Sequence, residues 1–303
     1  MMKSRFSLGA TLLATVAMTI AATALAQRKP ADSNVTPIAT PGDYRFSFTH
    51  GGMTRVYLVH VPRSYRPDHA TPMLIALHGG GGSADFQADD SKYGLISKSE
   101  LAGFIAVFPN GYSRFGGKLA TWNAGACCGG AQRNNVDDVG FIREVIHRVE
   151  RQARIDPRRV FATGMSNGAM MSWRLACEAP EIRGIAPVEG TDNTSHCNPS
   201  HPVPVIQFHA ADDPNVPFNG GVGPRSIARV SFTSVPDTQA KWISIAPILT
   251  PRACSPSPAR IATFIPAALR SSCASPTPAV TAGPAEAPSR AASNPRWQLA
   301  PTI

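Results

Sequence analysis

Apolar positions along this chain fall into two kinds of run, and their order sets the expected architecture. Thr54-Arg55-Val56-Tyr57-Leu58-Val59-His60-Val61 alternates polar and apolar side chains, the mark of an antiparallel edge strand with one wet face. Pro72 to His78 and Phe104 to Phe108 are instead unbroken apolar runs, as expected of strands buried on both faces. Gly79-Gly80-Gly81-Gly82 ends the first of these and Pro109-Asn110-Gly111 the second. Asp138 to Arg154 carries apolar residues at helical spacing, and Arg159 to Gly164 reads as a short strand running into a helix of small and apolar residues, Ser166 to Ala176. Gly184 to Val188 and Val203 to Phe208 supply two more strands. Strands alternating with helices imply an α/β fold, a mostly parallel central sheet with helices on both faces. Reactive groups then belong on loops at the strand C-terminal ends.

The two ends of the chain depart from this rhythm. Lys3 and Arg5 precede an apolar run from Leu8 to Leu25 that closes on Ala24-Leu25-Ala26, so residues 1–26 are expected to be a secretory signal, with a mature chain starting near Gln27. Residues 27–43 read as a loose polar lead-in and 44–245 as one domain. From Ala246 to Ile303 the chain holds eleven prolines and no Asp, Lys or His, and no period persists; this tail is expected to be disordered. Its Ala/Pro/Arg/Ser richness is what a GC-rich gene yields when read out of frame, an expectation that resequencing of the 3′ end checks.

Charge and cysteine narrow the function classes. Of the net charge of +9, Lys3 and Arg5 supply +2 and the segment beyond Ile245 supplies +4, from Arg252, Arg260, Arg270, Arg290 and Arg296 against Glu286. The remaining +3 is an ordinary solubility charge, so neither a nucleic-acid partner nor, once the signal is cleaved, a membrane is expected. Four cysteines lie in the domain: Cys127, Cys128, Cys177 and Cys197. In an exported chain they are expected to be bridged, with Cys127 and Cys128 bonded to Cys177 and Cys197 because a ring between adjacent residues is strained. No His or Cys at ligand spacing around them supports zinc.

Gly164-Met165-Ser166-Asn167-Gly168 fits G-x-S-x-G between a strand and a helix, where a nucleophile elbow needs flanking glycines to carry a strained serine with its Oγ exposed. The turn His78 to Gly82 follows an earlier strand, where backbone N–H groups would meet a developing oxyanion; Gly80 or Gly81, with Asn167, are the candidate donors. Asp212-Asp213-Pro214 comes after the serine, as the chain order Ser, Asp, His requires, and Asp213 is the candidate acid. Asp137 and Asp138 precede a helix and are expected to cap it.

Taken with Phe108-Pro109-Asn110-Gly111, Trp122 with Cys127-Cys128, Asn135 to Ile142, and His209 to Phe218, these motifs give residues 45–245 a resemblance to the secreted polyhydroxybutyrate depolymerase and feruloyl esterase family. The resemblance implies an α/β-hydrolase fold and ester hydrolysis outside the cytoplasm, secreted or periplasmic, with no cofactor or metal. It implies an acyl-enzyme on Ser166, Asp213 as the triad acid, amides of Gly80 and Asn167 at the oxyanion, and Trp122 flanking the substrate. The family carries its histidine base in a His-Ser/Ala-Trp-Pro-Gly segment some tens of residues past the aspartate; this chain has no such segment. Without a base the serine remains a weak alcohol, and such losses cost on the order of a million-fold in turnover. The alternative expectation is therefore a non-catalytic protein that keeps the cleft and binds an ester or phenolic group.

Overall fold

The computed structural model describes residues 36–245 and 264–265. The expected signal peptide lies outside the described residues, and so does the expected disordered tail except for Phe264–Ile265. Eight strands form one sheet: β1 (Gly42–His50), β2 (Met53–Val61), β3 (Thr71–Leu77), β4 (Ile105–Pro109), β5 (Ile155–Met165), β6 (Ile185–Val188), β7 (Val205–Ile206) and β8 (Phe264–Ile265). Their order across the sheet is β1-β2-β4-β3-β5-β6-β7-β8. The centre, β4 to β7, is parallel, and the pairs β1–β2, β2–β4 and β7–β8 are antiparallel.

The run expected to be an edge strand is not at the edge. β2 lies between β1 and β4, and β1 is the outer strand. Gly51 and Gly52 close the β1–β2 hairpin with φ of 56° and 76°, and a two-residue turn with both φ positive matches the twist of its strands. Alternation along β1 puts Tyr44, Phe46 and Phe48 on one face, where they pack against the core; the other side chains are more exposed.

Among the described residues seven helices flank the sheet: α1 (Ala84–Ala88), α2 (Asp90–Tyr93), α3 (Leu95–Ala102), α4 (Gly129–Arg133), α5 (Asp138–Gln152), α6 (Asn167–Glu178) and α7 (Val235–Ile245). On one face, Phe141, Ile142, Val145, Ile146 and Val149 of α5 and Met170, Met171, Trp173 and Leu175 of α6 bury against Met73, Ile75, Leu77, Val160 and Ala162. On the other, a smaller cluster of Ala76, Ala106 and Phe108 is covered by Ala84, Ala88, Leu95 and Ile96 of α1 and α3. Helices on both faces of a mostly parallel sheet make this the expected α/β-hydrolase architecture.

The expectation that both Asp137 and Asp138 cap α5 holds for the first. Asp137 accepts the Gly140 N–H at 2.8 Å. Asp138 is buried and pairs with Arg55 at 2.6 Å, its second oxygen taking the Asn123 N–H. The expected disulfide pairing is overturned. Cys177 of α6 bonds to Cys197, whose Cα lies 4.7 Å away, and the neighbours Cys127 and Cys128 bond to each other. Fully buried Cys127 sits among core residues. No helix among the described residues is long and apolar enough to cross a membrane.

Candidate active site

β5 ends at Met165 and α6 begins at Asn167, so Ser166 alone makes the turn between them. Its backbone has φ 53° and ψ −118°, a conformation that residues other than glycine rarely adopt. Glycines let the turn close. A Cβ on Gly164 would lie 2.5 Å from the Gly168 carbonyl carbon, and one on Gly168 would lie 2.3 Å from Leu77 O. The Ser166 N–H donates to Val188 O at 2.9 Å, and its carbonyl accepts the Met170 N–H at 3.0 Å. Both backbone groups are thus committed to the scaffold, while the hydroxyl bonds to none of the described residues.

The glycine turn after β3 faces this serine. A Cβ on Gly79 would stand 3.8 Å from Ser166 Cβ, and one on Gly80 would stand 3.5 Å from Asn167 Cβ. Gly81 N–H donates to Ala120 O at 2.8 Å and Gly82 N–H to Gly79 O at 3.0 Å, so neither amide is free. No acceptor among the described residues takes the Gly80 N–H. This favours Gly80 over Gly81 of the two donors named from sequence. Asn167 is buried and clasps the Trp122 backbone, Oδ1 accepting its N–H at 2.7 Å and Nδ2 donating to its carbonyl at 3.1 Å. Ser166 and the glycine turn open on a cleft of about 470 Å³ whose walls include Phe86, Tyr93, Lys118 and Leu119. The rings of Phe86 and Tyr93 meet edge to face at 5.9 Å.

Trp122 is not on that cleft. Its side chain is fully buried, its indole N–H donates to His78 O at 2.9 Å, and its ring lies 4.8 Å from the His78 imidazole. The expectation that it flanks a substrate is corrected: its bulk and its one donor are spent inside the core, holding the carbonyl of the residue before the glycine turn.

Asp213 lies on the loop after β7. Its Oδ1 accepts two backbone N–H groups, from Asn215 at 2.7 Å and Val216 at 3.1 Å, and its side chain is only 7% exposed, whereas Asp212 points to solvent. Beside it stands Glu189, which the sequence reading missed. Glu189 follows β6 directly, has a φ of 53°, and accepts the Ala210 N–H at 3.1 Å. Burial, then the hydrogen bond to Asp213 and that residue's charge, push its carboxyl up to about 7. A charged residue at the end of a buried strand, before Gly190, was the available signal.

All eight histidines are among the described residues, and none bonds to Ser166. His78 is buried, donates from Nδ1 to Gly79 O at 2.8 Å and accepts the Gly111 N–H at Nε2 at 2.9 Å; burial pushes it down to about 4. It is a strut of the glycine turn. His209 is the histidine beside the acid, with Nε2 3.7 Å from Asp213 Oδ2, but that nitrogen donates to Val216 O at 2.7 Å and so secures the 209–216 loop. His50, His60, His69, His147 and His201 are bound elsewhere, His60 to Asp43 and Glu100, for example.

Among the described residues two groups gather metal-type donors, and neither is built as a metal site. The sulfurs of Cys177 and Cys197, near Asp192, are spent in a disulfide. In the Glu189, His209 and Asp213 group the imidazole Nε2 and Asp213 Oδ1 are already committed to backbone partners.

A protein-family model described as the dienelactone hydrolase family matches residues 64–223. Feruloyl esterase B of Piromyces equi is 30% identical over 174 residues, covering 55% of this chain and 31% of that protein. The probable feruloyl esterase C of Aspergillus clavatus is 32% identical over 175 residues, 56% of this chain and 58% of that protein. The chain spans about half the length of the curated relatives it matches. Among solved structures, a thermostable esterase aligns with a TM-score of 0.46 at 20% identity, over 58% of this chain and 48% of that one. The feruloyl esterase half of the resemblance read from sequence thus recurs among relatives, and the matching family is the dienelactone hydrolases.

Proposed function

Because the chain belongs to the dienelactone hydrolase family, we propose that it is an exported carboxylic ester hydrolase working through a serine acyl-enzyme. The observation that carries the reading is Ser166, held at φ 53° between β5 and α6 with its hydroxyl free and the Gly79–Gly80 backbone against it. In this reading Ser166 Oγ attacks the ester carbonyl. The Gly80 and Asn167 N–H groups receive the negative charge that develops on the carbonyl oxygen. Asp213, fixed by two backbone N–H groups, is the acid of the site. The names of the relatives and the aromatic wall of Phe86 and Tyr93 support a phenolic acyl ester, of the feruloyl type, ahead of a polyhydroxybutyrate chain.

One observation favours a second reading: no histidine hydrogen-bonds to Ser166. A cleft without its base would bind an ester or phenolic group and not turn it over. Hydrolysis of a nitrophenyl short-chain ester and of methyl ferulate by the purified chain, with Ser166→Ala alongside, separates the two. Turnover present in the wild type and abolished in Ser166→Ala supports the esterase. Equal background in both, with saturable binding of methyl ferulate, replaces it with the binding protein.

A further inference from the structure

Glu189 stands where the two halves of the site meet. The residue before it accepts the Ser166 N–H through Val188 O at 2.9 Å, and the residue after it, Gly190, is so close that a Cβ there would lie 2.6 Å from Ser166 O. Glu189's own N–H donates to Phe208 O at 2.9 Å, joining the top of β6 to the chain that carries His209 and Asp213. A φ of 53° on a glutamate is a backbone outlier, held here by bonds on both sides. Its side chain turns toward the loop after β7, where Glu189, His209 and Asp213 bring one polar atom each within 4.8 Å of one another.

The bonds around the two carboxyl groups are unequal. Asp213 Oδ1 takes two N–H groups, whereas Glu189 takes a single N–H, from Ala210, on Oε1. No lysine or arginine among the described residues pairs with either; the nearest compensated acid in sequence, Asp192, is bound to Lys241 at 2.7 Å. The remaining charged neighbour, Asp212, adds to the repulsion.

We propose that Glu189 is a positioning residue: as the acid of the pair it donates a hydrogen bond from Oε2 to Asp213, holding that carboxylate and the β7 loop against the backbone behind Ser166. The proposal rests on reading Asp213 as the acid of the site, and goes beyond it by assigning the group that holds it. Losing the proton leaves two carboxylates facing each other and loosens this tie. The carboxyl of Glu189 is raised above its ordinary 4.5 to about 7. The stability it contributes is therefore fully present below about 4.5 and is lost as pH rises through about 7.

The test compares wild type, Glu189→Gln and Asp213→Asn by thermal melts and infrared difference spectra between pH about 5.5 and about 8.5. Glutamine keeps a donor toward Asp213 at every pH. The wild type is expected to lose about 4 °C of melting temperature across this range, screening of a partly exposed group included, and to lose the carbonyl band of a protonated carboxyl. Glu189→Gln is expected to hold its melting temperature and to lack the band. Equal pH dependence in wild type and Glu189→Gln, or an unchanged band, overturns the proposal. Neither readout needs turnover, so a wild type without esterase activity that still shows this difference removes the esterase reading and leaves the positioning role standing.

Discussion

Gly168 is the position where a single methyl group separates the elbow from the rest of the sheet. In Gly168→Ala the added Cβ would lie 2.3 Å from Leu77 O and 2.6 Å from His78 O. Both are backbone oxygens at the end of β3, so no side chain can rotate away. Relief requires moving the first turn of α6 or the end of β3 by nearly 1 Å. The movement works against the Leu77–Gly164 strand register and the Trp122 indole bond to His78 O. Overpacking that a core can absorb costs about 1–3 kcal/mol, and this site cannot yield, so about 3 kcal/mol is the expected loss. At about 2–4 °C per kcal/mol for a domain of this size, the melting temperature falls by about 6–12 °C. Displacement of Ser166 and Asn167 by the same shift would reduce ester turnover about 100-fold. Gly80→Ala is the control: its Cβ meets only the Asn167 side chain, Cβ at 3.5 Å and Oδ1 at 3.9 Å, and its φ is not positive, so stability should change by less than about 0.5 kcal/mol. Differential scanning calorimetry of both variants tests the reasoning. A Gly168→Ala protein melting within about 2 °C of wild type would refute the packing argument for the elbow.

Two further outcomes follow from the core. Arg55 and Asp138, 3% and 0% exposed, form a buried ion pair at 2.6 Å, so Asp138→Leu alone should cost about 3–5 kcal/mol by stranding the guanidinium, while Arg55→Leu with Asp138→Leu should recover much of it. Urea melts of the two single variants and the double variant read this non-additivity. The Cys177–Cys197 bond closes a separation of 20 residues, for which chain entropy gives about 3 kcal/mol. Cys177→Ala with Cys197→Ala should lower the urea midpoint accordingly, and an unchanged midpoint would mean that the bond constrains nothing the unfolded chain can use.

What the sequence disclosed about the site follows from how local each constraint is. The elbow was readable because its demand is local: only glycine fits where a Cβ would meet a backbone atom at 2.3 or 2.5 Å, and the demand recurs at fixed spacing around Ser166. The glycine turn was readable for the same reason. Gly81 could be separated from Gly80 only through Ala120, whose carbonyl takes the Gly81 N–H from across the fold. β1 alternates as plainly as β2, and which of them is the edge depends on what pairs with each. The cleft wall escaped because α1 and α2 span five and four residues, too short for a helical period to register.

Charge and burial at the site are set by residues remote in sequence, and there the reading failed in two opposite ways. The family resemblance implied that Trp122 flanks the substrate; His78, 44 positions earlier, instead takes it into the core. Glu189 looked like nothing, because its environment is assembled from Ala210 and Asp213, more than twenty residues later. The acid pair and the absent Ser166 partner then bear on one question. Asp213 is held by two N–H groups, while Nε2 of its neighbouring imidazole, His209, bonds to Val216 O. If Asp213 is the acid of the site as proposed, a carboxylate so fixed, with Glu189 beside it, would be the platform for a base, and no histidine bonds to Ser166. Measuring turnover against Ser166→Ala therefore asks whether this platform still orients a base or only shapes a binding cleft.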